Sequence, residues 1–311
     1  MKNRLLILCP GQGGQHAGMF DVARTQPRAS ALLDRFDLPS DLMQNLASEP
    51  QLDNSLLFAN RVAQPMIVAA TLAMWDAIRD FAPTPQLVAG YSVGEVAAYA
   101  VAGLLTPADA VAVAGARAKL MDECLKTYPG QALVAISGPS LQRIAELIEG
   151  DLFHVAIETD ADHCIAGGPA AALASVATNI AAAGGRINRL PIEIASHTPY
   201  MAPAVAPFAS MLRNLNFHPA RTALLSGIGA CVIDGKALAI EHLARQLAEK
   251  IVWMDCMDAC AEAQVTVALE LGPGAALSRM LQARHPHIDS RSVADFRSIA
   301  GIHKWLARHF D

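Results

Sequence analysis

The residues best placed to do chemistry form a six-residue stretch, Gly90-Tyr91-Ser92-Val93-Gly94-Glu95. The stretch follows a short apolar run at 86–89 and precedes an alanine-rich segment at 96–105 that is typical of a helix. A strand, a G-x-S-x-G turn and a helix are the setting of a nucleophile elbow, which holds the serine hydroxyl clear of the backbone at a helix N-terminus. The pattern predicts Ser92 as a nucleophile, and a glycine-serine turn without chemistry is the alternative that these residues leave open.

Arg117 is the second residue whose position suggests a function. A helix predicted at 106–125, with Thr106 as its N-cap and Pro107 at its first position, places Arg117 on an apolar face. A buried guanidinium requires an anionic partner, and its planar fork fits a carboxylate through two parallel hydrogen bonds. That partner is either an internal carboxylate, such as Glu95, or the free carboxylate of a substrate. The residues alone leave both readings open.

His197 is the candidate general base. It precedes Thr198 and Pro199, whose types suit the N-cap and first residue of a helix, so it lies where a strand ends and a helix begins. Functional residues of α/β sheets often lie at such junctions. The chain has ten histidines, and a histidine without a chemical role is the competing interpretation.

A glycine-rich loop, Pro10-Gly11-Gln12-Gly13-Gly14-Gln15, follows the first predicted strand at 4–9. It lacks the Lys-Ser/Thr of a P-loop and the spacing of a dinucleotide-binding fingerprint. Its backbone could instead direct the N–H of Gln12 toward the elbow. Together with the N–H of Val93, this group would form an oxyanion hole.

The elements that must position these residues alternate between strand-like and helix-like segments along the 311-residue chain. Such alternation favours an α/β fold with a mostly parallel sheet covered by helices on both faces. A compact α+β unit with its own alternation interrupts this pattern. We therefore predict a large α/β domain formed by 1–126 and 193–311, and an inserted subdomain at 127–192.

Composition excludes several classes of function. A net charge of −5 without a basic block argues against nucleic-acid binding, and charges interrupt each apolar run before it reaches membrane-spanning length. The six cysteines are scattered, which indicates free thiols in a reducing cytoplasm. Cys256 and Cys260 lie four apart but lack a second ligand pair, so no metal site is predicted.

Several motifs together resemble the malonyl-CoA:acyl carrier protein transacylases in order and spacing over essentially the whole chain. They are Gly11-Gln12-Gly13, Gly90-Tyr91-Ser92-Val93-Gly94-Glu95, Arg117, Ser196-His197 with Met201, and Glu270-Leu271-Gly272-Pro273-Gly274. The resemblance implies a hydrolase-like α/β core interrupted by a small ferredoxin-like α+β subdomain. It also implies malonyl-CoA as the donor, the phosphopantetheine-type thiol of an acyl carrier protein as the acceptor, and no cofactor bound by the chain itself.

The same resemblance assigns roles to individual residues. The nucleophile falls on Ser92, the base on His197 and the carboxylate-binding arginine on Arg117. The oxyanion N–H groups fall on Gln12 and Val93.

The chain departs from the family pattern at two places. Tyr91 replaces the usual histidine before the nucleophile, and Ile251-Val252-Trp253 lacks the glutamine that many members carry near this tryptophan. We therefore expect a backbone carbonyl near Val252 to orient His197.

The Gly-Tyr-Ser-Val-Gly variant is similar to the transacylase (epsilon) subunit of bacterial malonate decarboxylase, which implies that complex's carrier subunit as the partner. The alternatives are the housekeeping transacylase of fatty-acid synthesis, a serine esterase, and a docking subunit without catalysis.

Overall fold

The computed structural model describes residues 3–36, 38 and 55–310. The sequence between the glycine-rich loop and residue 61 predicts several amphipathic helices, and part of this region lies outside the described residues. In chain order the strands are β1 (Leu5–Cys9), β2 (Leu87–Gly90), β3 (Gln131–Ser137), β4 (His154–Asp160), β5 (His163–Pro169), β6 (Arg186–Arg189), β7 (Ala223–Leu225), β8 (Val267–Glu270) and β9 (Asp289–Ser292).

The helices are given in the same order. They are α1 (Asp21–Arg24), α2 (Pro27–Leu33), α3 (Ser55–Phe58), α4 (Asn60–Ile78), α5 (Gly94–Val101), α6 (Pro107–Thr127), α7 (Leu141–Glu149), α8 (Leu173–Ala182), α9 (Ala202–Arg213), α10 (Gly235–Arg245), α11 (Trp253–Glu262), α12 (Ala276–Arg284) and α13 (Ile299–Phe310). No helix in the described part of the chain is long and apolar enough to cross a membrane.

A parallel sheet with the strand order β7-β2-β1-β8-β9 forms the centre of the larger part of the fold. Alternate residues of β1 are buried on opposite faces. Leu5 and Ile7 join the core beneath α4, α5 and α6, whereas Leu6 and Leu8 join the core beneath α11 and α12. A strand buried on both faces is apolar throughout, which explains the uninterrupted apolar sequence of β1. The prediction of an α/β fold with a parallel sheet covered on both faces is confirmed.

A second, antiparallel sheet lies between residues 131 and 189, with the strand order β4-β5-β3-β6. The helices α7 and α8 pack on one of its faces through a small core of its own, which includes Ile144 and Ile180. Its other face carries Leu133 and Ile157 into the core that contains the parallel sheet. This face is consequently turned toward the carboxyl ends of the parallel strands.

Backbone hydrogen bonds and a salt bridge join the second sheet to the segment before α11. Ile251 forms a bridge with Ile157 of β4, with N–H···O distances of 2.9 Å to Ala156 and from Glu158. Lys250 forms a salt bridge with Glu158 at 2.5 Å. These contacts fix one wall of the space between the two sheets.

The local sequence signals place two helix starts correctly. The Thr106 hydroxyl accepts the N–H of Asp109 at the start of α6, as an N-cap should. Thr198 and Pro199 occupy the N-cap and first position of a 3₁₀ turn, Pro199–Met201, which continues directly into α9. The Thr198 hydroxyl makes no capping bond and donates instead to the carbonyl of Ala195 at 2.6 Å.

Candidate active site

The turn between β2 and α5 presents Ser92 at the carboxyl edge of the parallel sheet. Ser92 has a φ of 56°, a left-handed conformation that non-glycine residues seldom adopt. A Cβ on Gly90 would lie 2.3 Å from Cα of Glu95, and one on Gly94 would lie 2.1 Å from the carbonyl oxygen of Cys9. Both distances are far below van der Waals contact, so only glycine at these positions lets the turn close against β1.

Ser92 contacts His197, which comes from the segment before α9. Ser92 Oγ lies 2.8 Å from His197 Nε2, and His197 Nδ1 lies 2.6 Å from the backbone carbonyl oxygen of Gln246. A carbonyl can only accept, so Nδ1 carries the proton and the lone pair of Nε2 faces the serine hydroxyl. This is the tautomer that a general base toward serine requires.

The carbonyl that orients His197 differs from the expected one. It belongs to Gln246, immediately after α10, and not to a residue near Val252. Gln246 also precedes Trp253 in the chain, so a glutamine is present before this tryptophan. Its backbone and its side chain both take part in the site, which sequence reasoning did not foresee.

Burial keeps His197 neutral. The side chain is 1% exposed, and its pKa is lowered to about 3, first by desolvation and then by the positive charge of Arg117, against the opposing hydrogen bond to Gln246. A neutral imidazole is therefore available to accept a proton at neutral pH.

Ser92 and His197 line a cavity of about 510 Å³ between the parallel sheet and the inner face of the second sheet. Gln12, in the loop after β1, lines the same cavity, and Val93 directly follows Ser92 at the N-terminus of α5. The N–H groups of both residues lack a backbone acceptor among the described loops, turns and caps.

Arg117 is buried but does not line this cavity. It is 1% exposed, and within the described chain it forms no salt bridge with Glu95 or any other carboxylate. Its Nη1 donates to Gln64 Oε1 at 2.8 Å and to Met121 Sδ at 3.3 Å, and its Nη2 donates to Gln246 Oε1 at 3.1 Å. Its buried Nε has no hydrogen-bond partner among the described residues. The internal salt bridge to Glu95 that the sequence left open is thus absent.

Two glutamines complete the surroundings of Arg117. Gln64 and Gln246 are both fully buried, and Gln64 lies in an otherwise apolar part of α4. A polar side chain within an apolar helix face is the signal that could have identified Gln64. Gln246 has no comparable local signal, because its partners are distant in the chain.

The described residues contain no group of three or more His, Cys, Asp or Glu side chains that could hold a metal ion. Cys256 and Cys260 are buried in the core beneath α11 as free thiols.

A serine on a strand-to-helix elbow, hydrogen-bonded to an oriented neutral histidine, has the geometry that a serine nucleophile requires. Comparison with known proteins is more specific. Residues 7–302 match the acyl transferase domain family, and the chain belongs to that family. The prediction of an acyltransferase is confirmed.

Individual relatives extend over nearly the whole chain. A malonyl CoA-acyl carrier protein transacylase of Mycobacterium tuberculosis is 30% identical over 308 residues, covering 96% of this chain and 100% of the relative. The crystal structure of MCAT from the same organism, also 30% identical, has a TM-score of 0.88 and covers 98% of this chain and 100% of the other. A transacylase of Bacillus subtilis is 26% identical over 305 residues, covering 96% and 95% of the two chains.

Proposed function

We propose that this protein transfers a malonyl group from malonyl-CoA to the thiol of an acyl carrier protein through a malonyl ester of Ser92. The observation that carries the proposal is the 2.8 Å contact between Ser92 Oγ and the unprotonated Nε2 of His197. The names of the relatives that match over the whole chain supply the substrate class.

The reaction has two half-reactions related by symmetry. In the first, His197 Nε2 takes the Ser92 proton while Oγ bonds to the thioester carbonyl carbon. The carbon–sulfur bond then breaks, and the departing CoA thiolate recovers the proton from His197. In the second, the carrier thiol gives its proton to His197 and attacks the ester, and Ser92 leaves as a hydroxyl.

The oxyanion of each tetrahedral intermediate would be held by the N–H groups of Gln12 and Val93. Their lack of a described backbone acceptor and the position of Val93 at the N-terminus of α5 support this role, because a helix N-terminus favours negative charge.

Arg117 would bind the distal carboxylate of the malonyl group. Its unpartnered Nε and the absence of a salt bridge within the described chain support this role, since a buried guanidinium gains most from a carboxylate. Arg117 does not line the cavity of Ser92 but contacts Gln246, whose backbone carbonyl orients His197.

The finer description of the fold is also part of the proposal. Helices on both faces of the parallel sheet support a hydrolase-like core at 1–126 and 193–311. The second sheet supports a ferredoxin-like subdomain at 127–192, because it follows a strand-helix-strand-strand-helix-strand order with β3 and β5 central.

Two carriers are candidates for the acceptor. The elbow sequence with Tyr91 favours the carrier subunit of malonate decarboxylase, whereas the names of the relatives favour the carrier of fatty-acid synthesis equally well. Purified carriers of both kinds, offered to the malonyl-loaded protein, would separate them by their rates of acceptance. Both roles would place the protein in the cytoplasm.

The proposal is tested by intact-protein mass spectrometry after brief exposure to malonyl-CoA or acetyl-CoA. We expect a malonyl-sized adduct on the wild type, little or no adduct from acetyl-CoA, and none on Ser92→Ala. A wild-type protein that accepts neither acyl group, or that hydrolyses aryl esters much faster than it transfers to thiols, would defeat the proposal and favour a docking subunit or an esterase.

A further inference from the structure

Two opposite charges are buried close to the candidate nucleophile without pairing. Glu95 is 0% exposed and Arg117 is 1% exposed. Burial raises the pKa of Glu95 to about 7 and lowers the pKa of Arg117 to about 10, and the attraction between the two groups opposes both shifts only in part. Such charges attract each other strongly away from water, and a direct ion pair would be the expected outcome. Something in the structure therefore keeps them apart.

The side chain of Gln246 lies between them. Its Oε1 accepts from Arg117 Nη2 at 3.1 Å, and its Nε2 donates to Glu95 Oε2 at 2.5 Å. An amide is suited to this place because it presents an acceptor to the cation and a donor to the anion while remaining neutral. Glu95 Oε2 also accepts the N–H of Gly227 at 3.1 Å, which holds the carboxyl group on the far side of the amide.

The position of the amide determines which N–H donors of the Arg117 guanidinium remain free. Of its five N–H donors, Arg117 directs one to Gln64, one to Gln246 and one to the sulfur of Met121, while its Nε has no described partner. A direct pair with Glu95 would occupy the donors that a substrate carboxylate needs. The neutral amide accepts a hydrogen bond from Nη2 and leaves Nε without a described partner.

We propose that Gln246 is a spacer that prevents a Glu95–Arg117 ion pair and so keeps Arg117 open for an anionic acyl group. Gln246 is thus a positioning residue for acyl selection, separate from the hydrogen bond that its backbone carbonyl makes with His197. This inference rests on the proposed function.

The first test is Gln246→Met, which keeps the length of the side chain and the backbone carbonyl but removes the amide. We expect Arg117 to turn onto Glu95, so that the KM for malonyl-CoA rises by roughly ten- to a hundredfold through competition for the guanidinium. The matched control is Gln142→Met at an exposed position of α7, which should leave malonyl loading unchanged.

The deciding test is the double variant Gln246→Met with Glu95→Gln. Without the competing carboxylate, Arg117 has no internal ion-pair partner to turn to, and the KM for malonyl-CoA should recover most of the loss. A purely structural role for Gln246 predicts the opposite, a double variant as poor as the single one or worse. That result would overturn the proposal that Gln246 acts as a spacer.

A structure of unliganded Gln246→Met gives a readout that does not depend on activity. A salt bridge between Arg117 and Glu95 supports the inference, and an Arg117 that stays on Gln64 with no new carboxylate contact contradicts it. Failure of the wild type to form a malonyl adduct would instead count against the proposed function, so the two failures are distinguishable.

Discussion

Ser92 and His197 meet with left-handed backbones on both sides of the contact, at φ angles of 56° and 62°, and with Oγ and Nε2 2.8 Å apart. For non-glycine residues each such conformation costs roughly 1 to 2 kcal/mol. The surroundings must therefore hold both residues in place, and the N–H of His197 is held by the carbonyl of Leu247 at 2.8 Å. The pair is fixed before any substrate arrives.

The close packing of the elbow on β1 predicts that Gly94→Ala will be strongly destabilising. The new Cβ would meet the backbone oxygens of Cys9 and Pro10 at 2.1 and 2.5 Å, and backbone cannot step aside as a flexible side chain can. We expect the free energy of unfolding to fall by about 2 kcal/mol or more in chemical denaturation. Gly115→Ala is the control, because nothing lies within 4 Å of its Cβ position in α6, and it should stabilise by about 1 kcal/mol. Equal effects of the two variants would contradict this reading of the elbow.

The lowered pKa of His197 predicts an unusual pH dependence of acyl loading. With a pKa of about 3, the imidazole stays neutral and able to accept a proton throughout the weakly acidic range, and loses that ability only near its own pKa. Between pH 7.5 and pH 5, titration of His197 should change the single-turnover rate of malonyl-serine formation by no more than about twofold. An ordinary histidine would lower the rate roughly thirtyfold at pH 5, and a fall of that size with a midpoint near 6.5 would refute the assignment.

Arg117 should determine which acyl group is accepted. Arg117→Ala removes the guanidinium, so we expect malonyl loading to weaken by roughly a hundredfold or more while acetyl loading gains in relative terms. Competition between malonyl-CoA and acetyl-CoA, followed by intact mass, measures the preference directly. Arg117→Lys retains a charge without the planar fork and should fall between the wild type and the alanine variant. A preference that is the same in all three proteins would make Arg117 structural.

Glu270 offers a test of stability against pH. Its buried carboxyl accepts the N–H of Ser278 at the start of α12, and burial raises its pKa from 4.5 to about 7. The folded protein therefore binds this proton more tightly than the unfolded chain, and the stabilisation is complete below pH 4.5 and is lost as the pH rises through about 7. Glu270→Gln keeps an acceptor for Ser278 without the buried charge.

We expect Glu270→Gln to raise the free energy of unfolding at pH 8 by up to about 3 kcal/mol and to change it much less at pH 5. Denaturant titrations at both pH values measure the difference. Glu262→Gln, at an exposed position of α11, is the control and should show no comparable gain. A Glu270→Gln protein that is less stable at pH 8 than the wild type would contradict the burial argument.

The larger features of this fold could be predicted because they depend on local pattern. The apolar run of β1, the Thr106-Pro107 start of α6 and the glycines around Ser92 each indicate their own conformation. Alternation of strands and helices then suffices for a parallel sheet covered on both faces.

The parts that could not be predicted depend on contacts between distant residues. A backbone carbonyl orients His197, and any residue type could supply one, so no side-chain pattern identifies Gln246. The bridge from Arg117 to Gln246 joins residues 129 apart in the chain.

The size of the cavity at Ser92 bears on the order in which CoA and the carrier arm occupy it. Its volume of about 510 Å³ is that of a single small-molecule site, and such sites measure about 300 to 1,000 Å³. A cavity of this size suits one thioester arm at a time, and in the proposed reaction CoA departs before a carrier arm enters. Between the departure of CoA and the arrival of the carrier arm, the acyl group stays bound to Ser92 while no thioester arm occupies the cavity. When the concentration of carrier is low, the fraction of acyl groups transferred depends on how slowly water hydrolyses the ester on Ser92.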